Sequence, residues 1–283
     1  MAIITISRGC FSQGKAIAER VAELLAYECV SREILLEASQ YFDIPEKELL
    51  RSIHDAPTIL ERITHGRERY LASVQAALLE HVKKDNVVYH GHAGHFLLPS
   101  VPHVLKVRVI AELQVRVAFL RKEQQMSEDE ALDFIQKDDR HRAVWTRYLY
   151  KTEVSDPQLY DIVLNIGRLK IQDACDIIST AARSDSYAAT PESKQTIENL
   201  ALSSHVKVAL QEICEAEVIS DGGNVRIRVP QQKLKKTGFA SKDLQQKVGE
   251  QIRDDLAGEI LKKVKNIPGV KDVVCDIDLP SYS

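Results

Sequence analysis

Ile3-Ile4-Thr5-Ile6-Ser7-Arg8-Gly9-Cys10-Phe11-Ser12-Gln13-Gly14-Lys15-Ala16 is the stretch on which the reading of this chain turns. Ile3, Ile4 and Ile6 are β-branched and predict a short strand. Beyond Gly14, the apolar positions Ile17, Val21, Leu24 and Leu25 recur at helical spacing, up to Ala26. Between strand and helix, Gly9-x-x-x-x-Gly14-Lys15 has the spacing of a phosphate-binding loop. Glycines let such a loop curl until its amides converge on one anion, and the following helix adds the positive end of its dipole. The expected anion contacts are Gly9, Ser12, Gln13, Gly14, Lys15 and Ala16, with Lys15 reaching toward a β- or γ-phosphate. The residue after the lysine is Ala16, where a Ser or Thr hydroxyl would ligate Mg²⁺.

Working outward, short apolar runs alternate with helical ones up to residue 182. Strands are expected at Tyr27–Val30, Asn86–Tyr89, Val104–Ile110 and Tyr160–Asn165, which predicts a parallel α/β sheet flanked by helices. Residues 41 to 82 read as helices, with Arg62, Arg67 and Arg69 on them. His90, His92 and His95 fall within six residues and raise the idea of a metal site. The interleaved glycines and the lack of a nearby carboxylate or cysteine favour a loop at a strand's C-terminal end, and no metal ligand is assigned. After Val104–Ile110, a helix is expected with Leu113, Val117 and Leu120 inside and Arg116 and Arg121 on other faces. Ser127-x-x-Glu130 is a capping box opening a helix through Ile135. That helix runs into Asp138, Asp139, Arg140, Arg142 and Arg147, a set suited to a mobile lid that closes over developing negative charge.

The small polar run 183–194 reads as a linker. Beyond it the expected order is helix (Glu192 to Cys214), strand (Ala216–Ser220), strand (Asn224–Val229), helix (Ser241 to Lys265) and strand (Val270–Asp278). These strands make a small α+β unit without a catalytic constellation. The division is therefore 1–183, a linker at 184–194, and 195–283.

Bulk numbers narrow the function. The 283 residues suffice for two domains, and the net charge of −3, with acids and bases equal in number beyond residue 185, argues against a nucleic-acid partner. No apolar run approaches a membrane span, and Met1-Ala2-Ile3 lacks the charged and apolar regions expected of a signal peptide. Five scattered cysteines without a C-x-x-C pair suit reduced thiols and a cytoplasmic location; Cys10, beside a helix N-terminus, sits where a thiolate would be favoured.

With these pieces placed, residues 3 to 182 resemble the cytidylate kinase-like family of P-loop nucleoside monophosphate kinases. The resemblance rests on residues 4–9 with Gly14-Lys15-x-Ile17-Ala18, Ser31-Arg32-Glu33-Ile34-Leu35, Val87-Val88-x-x-Gly91, Asp139-x-x-Arg142, and Asp156-Pro157-x-x-Tyr160-Asp161-x-Val163-Leu164-Asn165. It implies ATP-dependent phosphoryl transfer to a CMP-like nucleotide. Lys15, Arg140, Arg142 and Arg147 would act on the transferred group, Arg32, His92, Arg116 and Asp139 would bind the acceptor, and residues 40 to 82 would cover it. The chain departs from the family pattern at Ala16, at Ser31 (an aspartate in true cytidylate kinases), at His92 (an arginine in relatives) and at His90 (an acidic position). With those ligands substituted, Mg²⁺ would be held by little beyond the phosphates. A second reading follows: a nucleotide-binding sensor without turnover. The second unit looks like a BON domain, on His205-Val206-x-x-Ala209-Leu210, Gly223-Asn224-Val225 and Ile267-Pro268-Gly269-Val270-x-x-Val273. That likeness implies a module binding an unknown ligand or protein partner.

Overall fold

A computed structural model describes residues 2–31, 66–91, 94–231, 233–234, 242–279 and 281–282. The first unit is built on β1 (Ile3–Arg8), β2 (Glu28–Val30), β3 (Val87–His90), β4 (Val104–Ala111) and β5 (Ile162–Ile166), joined in the order β2-β3-β1-β4-β5. Every pairing in this sheet is parallel, as the alternation of strands and helices predicts.

Both faces are covered because β1 alternates. Ile4 and Ile6 face α1 (Gly14–Leu25) and α6 (Ile171–Ala182), packing with Ile17, Val21, Ala174 and Ile178. Ile3 faces the other way, into a cluster with Val74, Leu78 and Leu79 of α2 (Gly66–Val82) and with Leu97 of α3 (Gly94–Leu97). Helix α4 spans Leu113–Gln124, with Val117 and Leu120 buried. Leu113, expected inside, is 37% exposed: it opens the helix, ahead of the face that packs. Helix α5 runs unbroken from Glu128 to Tyr150, capped by the reciprocal Ser127–Glu130 bonds that the capping box predicts.

The run expected as a linker is partly structured. A 3₁₀ turn covers Asp185–Tyr187, and Thr190 caps α7 (Pro191–Leu210), with proline in its first turn. Helix α7 serves two cores. Ile197 and Ala201 pack with α2 and Trp145, while Val206 and Leu210 pack under the second sheet. Its Lys194 reaches the buried Asp85 carboxylate at 3.1 Å, and Asp85 also meets His103 Nε2 at 3.1 Å.

The second unit continues with β6 (Glu217–Asp221), β7 (Asn224–Val229), β8 (Lys233–Leu234), α8 (Lys242–Val264), β9 (Asp272–Ile277) and β10 (Ser281–Tyr282). β6, β7 and β9 form a three-stranded sheet, and β8 pairs with β10. The helix-strand-strand-helix-strand order expected from the sequence is present; the β8–β10 pair is an addition, since the region between β7 and α8 reads as plain loop. Gly222, Gly223 and Gly269 sit at positive φ (56°, 93–95°), which explains glycine at both turns.

His95 on α3 is packed between the rings of Phe96 (4.0 Å between centroids) and Tyr160 (4.7 Å), and both its nitrogens are buried without a hydrogen-bond partner. Burial, then the charges of Lys106 and Arg108, push its pKa down to about 3. It is neutral when folded. Above pH 6.5 this costs nothing, but below it the unfolded chain takes up a proton that the folded chain refuses. Stability present at neutral pH is therefore lost as the pH falls from 6.5 toward 3, by at most ~5 kcal/mol for the full shift. In a His95→Phe variant, thermal melts between pH 7 and pH 4 should show a smaller drop in midpoint than wild type; an unchanged slope would place the acid sensitivity elsewhere.

Candidate functional site

The loop after β1 is curled. Phe11 and Gln13 both adopt left-handed backbone, with φ of 52° and 63°. Gly9 N–H donates to Val109 O at 3.0 Å, and Ser12 N–H donates back to Gly9 O at 3.3 Å. Ser12 is fully buried, its hydroxyl 2.9 Å from Gly9 O and 3.0 Å from Val109 O. That hydroxyl braces the curl against β4, where the sequence suggested a direct aid to the ligand. The first bond within α1 runs from Ile17 N–H to Gln13 O at 3.1 Å. The amides of Gly14, Lys15 and Ala16 precede it and have no intrahelical acceptor.

Two arginines hold the loop, Arg116 buried and Arg142 half-buried. Arg116 donates from Nε to Cys10 O at 2.6 Å and from its terminal nitrogen to Asp139 Oδ1 at 2.8 Å. Arg142 donates from Nε to Asp138 Oδ2 at 2.6 Å and from a terminal nitrogen to Arg8 O at 3.2 Å. Arg116, expected on a free face of α4, is thus buried instead, drawn in by a backbone carbonyl and a carboxylate.

Between the loop, β4, α4 and α5 lies a cleft of about 210 Å³. Arg8, Arg108, Arg116 and Arg142 line it, with Asp139, Gly9 and the C-terminal residues of β4. Parallel sheets present ligands at this edge, outside the carboxyl ends of the strands. Arg108 is steadied by Tyr160, whose hydroxyl accepts from it at 3.2 Å and lies 3.0 Å from Val154 O.

The structure brings together Gly9, Arg116, Asp139 and Arg142 of the expected residues. It does not bring Arg140 and Arg147 to them. On a helix, Arg140 lies roughly 200° and Arg147 roughly 140° around the axis from Arg142. Both are exposed, and Arg147 is ion-paired with Glu153. The lid cluster read from the sequence is therefore one inward arginine and two outward ones. Lys15 is 65% exposed, 3.6 Å from Glu19 one turn on, and does not line the cleft. Ala16 is exposed beside it. Arg32 and His92 lie outside the described residues, as do Ser31-following positions 32–65. His90 ends β3 and His95 is stacked among rings; among the described residues no group of three His, Cys, Asp or Glu side chains forms a metal site. With Asp138 and Asp139 committed to arginines and Ala16 lacking a hydroxyl, these residues do not fit a protein-held Mg²⁺.

Arg8 and Arg108 escaped the sequence reading. The signal was there: a charged residue at the end of one apolar core strand and another within its neighbour, each rare in a buried sheet unless used.

Residues 3–168 match the model of the cytidylate kinase-like family. A cytidylate kinase from Sulfolobus acidocaldarius is 32% identical over 96 residues, 34% of this chain and 52% of the relative, so the match spans about half of that protein's length. A cytidylate kinase from Methanosarcina barkeri is 30% identical over 140 residues, 44% of this chain and 77% of the relative. Among solved structures, an uncharacterized protein from Eubacterium ventriosum aligns with a TM-score of 0.51 at 20% identity, covering 65% of this chain and 99% of that one, a likeness of fold. Among the described residues no helix is long and apolar enough to cross a membrane.

Cys10 does not carry the thiolate that its place by a helix N-terminus suggested. It is buried, and burial followed by the nearby Asp138 carboxylate pushes its thiol pKa up to about 12. At pH 8, a thiol reagent should label the exposed Cys29 in the native protein and reach Cys10 only in denaturant. Labelling of native Cys10 at the rate of a free thiol, read by mass spectrometry of the peptides, would contradict this geometry.

Proposed function

Because the chain belongs to the cytidylate kinase-like family, we propose that it transfers the γ-phosphoryl group of ATP to a nucleoside monophosphate of the CMP type. The observation that carries this reading is the arginine-lined cleft against a curled loop at the carboxyl edge of a parallel sheet. Phosphoryl transfer asks the protein for position and charge, and this site has both. The amides of Gly14, Lys15 and Ala16 would receive the ATP phosphates. Arg142 and Arg116, each fixed by a carboxylate and a backbone carbonyl, would face the charge that builds on the transferred group. Lys15 would join them only by leaving Glu19, an exposed pair that costs little to break. Roles for Arg32 and His92 on the acceptor, and for Arg140 and Arg147 in closure, rest on the family resemblance alone. ATP supplies the phosphoryl group, and no step is assigned to a protein-bound metal.

For the division of labour, we take 1–183 as the kinase-like part, 184–194 as the connection and 195–283 as a BON-like binding or regulatory module. Helix α7, packed in both cores, is the physical link between them. A cleft of about 650 Å³ between α2, α7 and the turns at Gly222-Gly223 and Pro268-Gly269 is where that module has room for a ligand or partner segment.

The exposed Lys15 and the methyl of Ala16 favour one rival: a nucleotide sensor that binds without turnover. A coupled assay with ATP, Mg²⁺ and CMP, dCMP or UMP separates the two. Turnover that falls by about 10²–10³ in kcat/KM for Arg142→Ala is the expected result. Nucleotide binding by calorimetry with no turnover on any acceptor would establish the sensor instead.

A further inference from the structure

The cleft carries more positive charge than it neutralises. Arg116 is matched by Asp139 and Arg142 by Asp138. Arg8 and Arg108 have no carboxylate within ion-pair distance among the described residues, and Arg8 feels Asp138, already paired with Arg142, only at longer range. Arg108 at least has the Tyr160 hydroxyl, and its cation lies 5.4 Å from that ring's centroid.

Arg8 is the more demanding case. Its Nε is buried and has no hydrogen-bond partner. Burial and then the facing charge of Arg142 hold its pKa below the ordinary arginine value. Its stem lies along the first turn of α1: a Cβ on Gly14 would fall 2.6 Å from Arg8 Cβ and 3.0 Å from its Cδ. Gly14 is therefore needed as the seat of this side chain as well as for the turn. A guanidinium with a buried, unpartnered Nε that faces a second guanidinium, relieved only in part by Asp138, is unfavourable, and a bound anion would offset both the lost hydrogen bond and the repulsion. Lys15 shows the opposite character, solvated and paired outward with Glu19.

Resting on the nucleotide-phosphate reading above, we infer that Arg8, rather than Lys15, is the principal phosphate-binding side chain of this loop. Its ligand is the polyphosphate of a nucleotide, gripped from the strand side of the loop together with Arg142.

The test uses the full chain and two probes, inorganic tripolyphosphate and ATP, each titrated calorimetrically without Mg²⁺. Arg8→Met keeps the aliphatic stem over Gly14 and removes the guanidinium; Lys15→Met is its counterpart. Arg8→Met should weaken both probes at least tenfold while leaving the thermal midpoint of the ligand-free protein unchanged or raised, because a like-charge contact is gone. Lys15→Met should weaken them less than threefold. A larger loss in Lys15→Met, or unchanged affinity in Arg8→Met, overturns the inference. Should Arg8→Met fail to fold, Arg8→Lys decides: it keeps the charge and loses the planar fork, so a several-fold weakening supports the role and unchanged affinity overturns it. Arg8-dependent binding of tripolyphosphate with none of ATP would sustain Arg8 and defeat the nucleotide reading. Failure to bind either probe defeats both.

Discussion

Two guanidiniums gripping main-chain carbonyls hold the first unit's business end together. Arg116 reaches Cys10 O from α4, and Arg142 reaches Arg8 O from α5. Charge-assisted bonds of this kind are about twice as strong as neutral ones, and each arginine brings its own carboxylate, Asp139 or Asp138, so its charge is compensated as it leaves water. The apolar cluster of Cys10, Val117, Leu120, Ala131 and Ile135 closes over the same junction. Fold and site are thus one construction: the contacts that dock α4 and α5 on the sheet also shape the loop and aim its charges.

A second layer stands behind that clamp. The stretch from Asp156 to Asn165, the most distinctive part of the family resemblance, touches the cleft only through its supports. Asp156 caps a 3₁₀ turn by accepting from Gln158 N–H, Asp161 accepts from Lys106 N–H at 2.8 Å, and Tyr160 steadies Arg108. The effect is to lock β5 onto β4 in register and to hold one cleft arginine in place. Residues that mark a family need not meet its ligand; these keep the geometry that does.

The joining of the two units follows from helix α7. Its N-terminal half buries Ile197 and Ala201 in the first core and its C-terminal half buries Val206 and Leu210 in the second. Lys194 adds an ion pair to Asp85, a carboxylate already engaged by the buried His103. Since His103 O in turn accepts from Ile3 N–H at 3.0 Å, the connection runs by contact from the second unit to the first residue of β1. A packed helix common to two cores transmits displacement between them more directly than a flexible tether would.

Much of this was legible in the amino-acid order, because local periodicity and capping are local physics. The Ser127–Glu130 box and the helix that follows the loop appear as the residues dictate, as do the strand Asn224–Val229 and the curl after β1. The site was legible only in outline. Whether an arginine is a ligand, a brace or a solvated ornament depends on partners far along the chain: Arg116 finds Cys10 over 106 residues and Arg142 finds Arg8 over 134. The turn of α5 about its axis then sends Arg142 inward and Arg140 and Arg147 out, and the depth of the loop keeps Cys10 a thiol. By itself, the sequence determined that a glycine-framed loop joins a strand to a helix in an α/β sheet. Only the tertiary structure decided which cations face that loop, since charge acts through space and burial, and neither is written in the order of residues.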